Sequence, residues 1–195
     1  MTSTLLILLI LVPLAAGAIS FFIKGNGAKG LALVSSLITL VLSGLVAYAT
    51  PESSMHFNMP WIPQLGTEFS LQADGMSAML CLLTGIVMPV VFIANWNKEV
   101  DRPWSFYGLM LLAQAGITGV FLAYDAFVFY VFWELALIPV YFLCSRWGGE
   151  KRIPVTFKFF AYTFVGSLMM LAGLIYLATL TPGSNSYSWS NMVHA

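Results

Sequence analysis

The chain has 195 residues, of which 59% are hydrophobic and only 8% charged, with a formal net charge of zero. Against the roughly 25% charged residues of a soluble domain, this composition and a mean hydropathy of +0.88 mark an integral membrane chain and exclude a soluble enzyme. The expected surroundings are a lipid bilayer and other membrane proteins; nucleic acid is not among the expected partners.

Taken in order, residues 4–23 form a first apolar span that contains Pro13. No Lys or Arg precedes it, so it lacks the basic start of a secretory signal and reads as a retained helix. The connector 24–30 carries Lys24 and Lys29, and a second span follows at 31–49. Residues 50–74 are the longest polar stretch, with Glu52, Glu68, Asp74 and His56 but no Lys or Arg. Alternation around Phe69 and Leu71 and a turn signal at Gly66 predict a short surface hairpin within 60–74. His56 has no second ligand nearby and reads as a solvated loop residue rather than a metal ligand. Asp74 stands where the N-cap of a third span, 76–95, belongs. A second basic connector, 95–103, holds Lys98 and Arg102 beside Glu99 and Asp101.

The fourth span, 105–123, has Gln114 and Thr118 one turn apart, with Gly108, Gly116 and Gly119 allowing close helix approach. After the short Tyr124-Asp125 turn comes the fifth, 126–147, then a third basic connector with Arg146, Lys151 and Arg152, and a sixth span at 155–180. Residues 181–195 read as an uncharged closing loop. Cys81 and Cys144 fall in apolar segments near opposite membrane faces, too far apart for a disulfide, and read as small buried hydrophobes.

Every basic residue but Lys158 lies in the connectors after spans one, three and five, and the other side has none. By the positive-inside rule those connectors are cytoplasmic, and the N-terminus, the 50–74 loop, Asp125 and the last loop are outside.

Glu134 stands in the middle of the fifth span with no counter-ion on its own helix. An acid at the centre of a membrane helix costs about 2.5 to 3.5 kcal/mol, so it marks an ion or proton pathway with a partner on another helix, or else a static interhelical hydrogen-bonding group. At about 100° per residue, Tyr130, Tyr141 and Ser145 fall within roughly 40° of the Glu134 direction and line the same face. Pro139 leaves the Leu135 carbonyl without its usual partner, one residue from the acid, and predicts a bend there. Lys158 lies about 5 Å into the sixth span and Glu134 about 16 Å above the inner end of the fifth, so direct pairing is poor. Lys158 either snorkels to the inner headgroups or joins the pathway through water or hydroxyl groups.

The wording of these two helices, FYVFWELALIPVYFLCSRWGGEKR followed by TFKFFAYTFVGSLMMLAGLIYL, resembles the NuoM-type (chain M, subunit 4) antiporter-like membrane subunit of respiratory complex I, the NADH:quinone oxidoreductase. LQADGMSAML is similar to the entry of that family's third helix, and Mrp-type sodium/proton antiporter subunits share the membrane glutamate. The resemblance implies an all-α integral membrane fold: six transmembrane helices forming the N-terminal portion of an antiporter-like fold of about fourteen helices with inverted repeats. Residues 1–104 would be an N-terminal three-helix segment and 105–195 the first part of the first repeat.

It further implies that Glu134 is the family's essential glutamate, with a lysine partner in a later helix, and that Lys158 is a lysine on the inner half of the path. The FMN, iron-sulfur clusters and quinone would sit in partner subunits, with no cofactor or metal in this chain. Partners would be the neighbouring antiporter-like subunits of the membrane arm, in a bacterial inner membrane. An Mrp-type antiporter component and a non-transporting scaffold subunit are the alternatives.

Overall fold

The computed structural model describes residues 2–23, 27–50, 55–181 and 186–193; Lys24 and Glu52 lie outside them. Six long helices, α1 (Thr2–Ser20), α2 (Gly27–Ala49), α3 (Gly75–Ala94), α4 (Pro103–Leu122), α5 (Ala126–Trp147) and α6 (Arg152–Leu180), are each long and apolar enough to cross a membrane. Between α2 and α3 stands a hairpin of β1 (Met55–Ile62) and β2 (Thr67–Ala73), and a single helical turn, α7 (Trp189–Met192), follows α6.

Local chemistry fixes the helix starts. Asp74 accepts the Ser77 backbone N–H at 2.7 Å while the Ser77 hydroxyl accepts the Asp74 N–H at 2.8 Å, a reciprocal capping box that starts α3. Pro103 opens α4, where a missing N–H costs nothing. The first span ends at Ser20 rather than 23, because Phe21, Phe22 and Ile23 donate three residues back and the last turn tightens. The second starts earlier than expected, at Gly27, and Lys29 in its first turn donates to the Trp96 and Lys98 carbonyls at 3.0 and 3.3 Å.

Helix α4 is the centre of the bundle, packed against α1, α2, α3 and α5, and α6 packs chiefly on α5. The glycines of α4 make those approaches possible, as expected. A Cβ on Gly116 would lie 2.7 Å from the Ala136 backbone of α5, one on Gly119 would enter the Phe132 ring, and one on Gly108 would sit 3.1 Å from the Gly17 carbonyl of α1.

The three basic connectors meet at one end: Lys29 reaches the second, and Arg146 and Trp147 bind Asp101 at 3.3 and 3.0 Å. At the opposite end the hairpin is longer than expected, and only its turn end and most of β1 lie at the surface. Its strands pair from Met55↔Ala73 to Ile62↔Thr67, with an irregularity between Pro60 and Ile62 and a left-handed Gly66 (φ 68°) at the turn. Met55, Leu71 and Ala73 are buried in one cluster with Leu6, Leu9, Val46, Leu122 and Phe132, so the hairpin plugs the bundle end. The closing segment is also more than a loop. Tyr187 is buried against α5 and α6, and its carbonyl accepts the Ala126 N–H at 2.9 Å. Both cysteines are free, but only Cys81 is buried; Cys144 is exposed, because its side of α5 is not covered by another element of the bundle.

Candidate functional site

Helix α5 is seated by its two sides. One side, Phe132 and Ala136, lies on the α4 glycines, and another faces α6. At its start Asp125 caps it, accepting the Phe127 and Val128 N–H groups at 2.9 and 3.1 Å and, with the other oxygen, the Glu68 N–H at 3.2 Å. Asp125 is 2% exposed, and burial pushes its carboxyl above the usual value, against the opposing pull of those three N–H groups. Asp74, at the start of α3, goes the other way: the Ser77 N–H holds its carboxyl below the usual value.

Glu134 is half-buried near the middle of α5, and its Oε1 is fully enclosed with no hydrogen-bond partner among the described residues. Tyr130, one turn before it, is placed against both the Glu134 carboxylate and Ser167 of α6. The structure thus gathers Tyr130, Glu134 and Ser167. The other two stripe residues lie nearer the basic end. Tyr141 packs on Phe160 of α6 at 4.9 Å between ring centroids, and Ser145 donates to the Phe142 carbonyl at 3.2 Å. Tyr141 and Ser145 line a cleft of about 780 Å³ with Asp101, Arg146 and Arg152, open at the basic end of the bundle.

Lys158 is exposed on α6 and forms no ion pair among the described residues. Measured from the basic ends of their helices, it stands six residues in, about 9 Å, and Glu134 thirteen residues in, about 20 Å. The Tyr141–Phe160 contact gives a similar register, with Lys158 about 13.5 Å, or roughly two and a half helical turns, nearer the basic end than Glu134, too far for a direct bond. Sequence reasoning missed Ser167, whose place opposite Tyr130 depends on helix packing. It also missed the cap at Asp125, although an acid directly before an apolar helix signals one.

Six apolar helices, a half-buried carboxylate at mid-helix and a polar cleft at the basic end define a polytopic membrane protein with a candidate ion or proton site. Residues 123–193, which include Glu134 and Lys158, match the family described as NADH:quinone oxidoreductase/Mrp antiporter, TM. The chain is 46% identical over 173 residues to F(420)H(2) dehydrogenase subunit M of Methanosarcina mazei, covering 86% of this chain and 35% of that one. It is 36% identical over 188 residues to NADH-quinone oxidoreductase subunit M of Escherichia coli K12, covering 87% and 37%. Among solved structures it superposes on a chain of respiratory complex I from Thermus thermophilus with bound NADH, at a TM-score of 0.84 and 29% identity, over 97% of this chain and 39% of the other. The chain therefore spans about a third of the length of these curated relatives, and the resemblance read from its fifth and sixth helices extends over nearly all of it.

Proposed function

We propose that this chain is the N-terminal part of a proton-translocating membrane-arm subunit of an NADH:quinone oxidoreductase, acting through Glu134. The observation that carries the reading is the enclosed, unpaired Oε1 of Glu134 at mid-helix, within the segment that matches the family. An approaching cation favours the charged form of a carboxyl group, and its withdrawal removes that preference. A mobile cation, supplied from outside these 195 residues, would therefore load and unload a proton as it withdraws and returns. Tyr130 and Ser167 give the proton hydroxyl neighbours at the level of Glu134, and Tyr141, Ser145 and the cleft give it a route from the basic end. Lys158 assists from the inner half of that route rather than as the direct partner.

On this reading electrons move in partner subunits that hold FMN, iron-sulfur clusters and quinone, and the neighbouring antiporter-like subunits flank this chain. The basic end faces the cytoplasm of a bacterial inner membrane, following the positive-inside distribution. The test is Glu134→Gln in membrane vesicles. Proton translocation driven by NADH should fall to a small fraction of wild type while the complex still assembles; full coupled activity would reject the role. The family description also names Mrp antiporters, and that second reading requires sodium- or potassium-dependent proton exchange without NADH.

A further inference from the structure

The interior of the α1–α4 bundle contains polar groups that the proposed proton route does not use. Gln114 of α4 is fully buried, and neither its Nε2 nor its Oε1 has a hydrogen-bond partner among the described residues. Ser35 of α2 is 3% exposed, and its Oγ is likewise unpaired. Ser36, Thr39 and Ser43 are buried on the same helix, each donating to a carbonyl of α2 itself and keeping acceptor capacity free.

Gln114 lies near the depth of Ser35, Ser36 and Thr39, with Ser35 at about 12 Å along α2 and Ser43 about 7.5 Å beyond Gln114. Helices α2 and α4 pack together and both start at the basic end, with Ala32, Tyr107 and Leu111 in one cluster near that end. Counting from Gly27 and Pro103, Gln114 stands about 16 Å along α4, between Ser36 at about 13 Å and Thr39 at about 18 Å along α2. A glutamine amide offers two donors and an acceptor, and a serine hydroxyl offers both functions. Two such groups within direct reach would bond to each other, so their lack of partners places them beyond hydrogen-bond distance. At mid-membrane the lipid offers nothing in exchange.

We infer that the α2–α4 seam is an internal water-binding site, in which at least one water joins the Gln114 amide to the Ser35 hydroxyl and to the free acceptors of Ser36 and Thr39. Water is the ligand whose chemistry fits. The amide needs a partner that can both donate and accept, and the seam has neither the carboxylate that would favour a cation nor the basic residue that would favour an anion. The site is distinct from the Glu134 route, which lies on the α6 side of α5. Its effect is to tie the central helix α4, and through it α5, to α2.

A density map of the wild-type assembled complex, at a resolution that shows ordered water, tests the inference. Density for a molecule between Gln114 and Ser35 is expected; a direct amide–hydroxyl contact with nothing between them would overturn it. Independently, Gln114→Leu and Ser35→Ala should each lower the thermal midpoint of the purified complex by a few degrees, and the double variant should fall no further than the larger single effect. Additive losses would mean that the two groups share no bridge and would overturn the site.

Discussion

The Asp125 carboxylate accepts the backbone N–H of Glu68 at 3.2 Å, although 57 residues separate the two in sequence. Its second oxygen caps α5, so one side chain fastens the hairpin to the helix that carries Glu134. Replacing Asp125 by Ala removes the cap and the tie together. A lost cap costs about 1 kcal/mol and the tie a comparable amount. The variant complex should lose about 2 kcal/mol of stability and should unfold first at the hairpin end, which hydrogen exchange on residues 55–73 and 126–130 would register.

Asp125→Asn should behave differently. Burial raises the folded carboxyl above its unfolded value, so Asp125 supports the fold most fully below the ordinary carboxylate range. That support is lost as the pH rises through the raised value. An asparagine oxygen still accepts N–H groups and has no charge to bury. Thermal midpoints measured across the mildly acidic range should therefore be flatter for Asp125→Asn than for wild type. Asp74 has the opposite sign: its lowered carboxyl stabilises above the ordinary value and loses effect as the pH falls through the folded one, and Asp74→Asn should flatten the more acidic limb.

Gly116 and Ala136 mark a close backbone approach of α4 and α5. A methyl group on Gly116 would lie 2.7 Å from the Ala136 backbone, so Gly116→Ala must push α5 off α4, at about 1 to 3 kcal/mol. Yield of assembled complex should fall. Gly44→Ala, where an added Cβ meets nothing within 4 Å, is the control and should assemble normally.

Lys158 stands well toward the basic end from Glu134. If it conducts rather than pairs, Lys158→Met should slow proton translocation without moving the pH midpoint of that activity. Stopped translocation rates across a pH series in vesicles would show this, and a displaced midpoint would make Lys158 the direct partner instead.

The six spans were legible because about 20 consecutive apolar residues have few other fates. Glu134 was legible for the same reason, as a charge inside such a run. The hairpin was only half visible: β2 alternates, but β1 carries Pro60 and an irregular pairing that blurs the period. Tyr187 had no periodic neighbours to announce its burial, since a docked closing segment is set by the surface it meets. Ser167 and the orphaned Gln114 belong to pairings between helices, and a sequence does not state which faces meet. Cys144 was misread because an apolar setting indicates lipid or protein without separating the two.

The contact of Gly116 with Ala136 also has a mechanical meaning. On that side α5 rests on α4 with the Gly116 and Ala136 backbones in close approach and the Phe132 ring against Gly119, which leaves little room to move inward. On the other side it meets α6 through long aromatic side chains and hydroxyl groups, which can turn or part without breaking a helix. If Glu134 carries a proton as proposed, the motion that admits or expels it falls on the α6 side of α5, where the contacts are side chains that can turn.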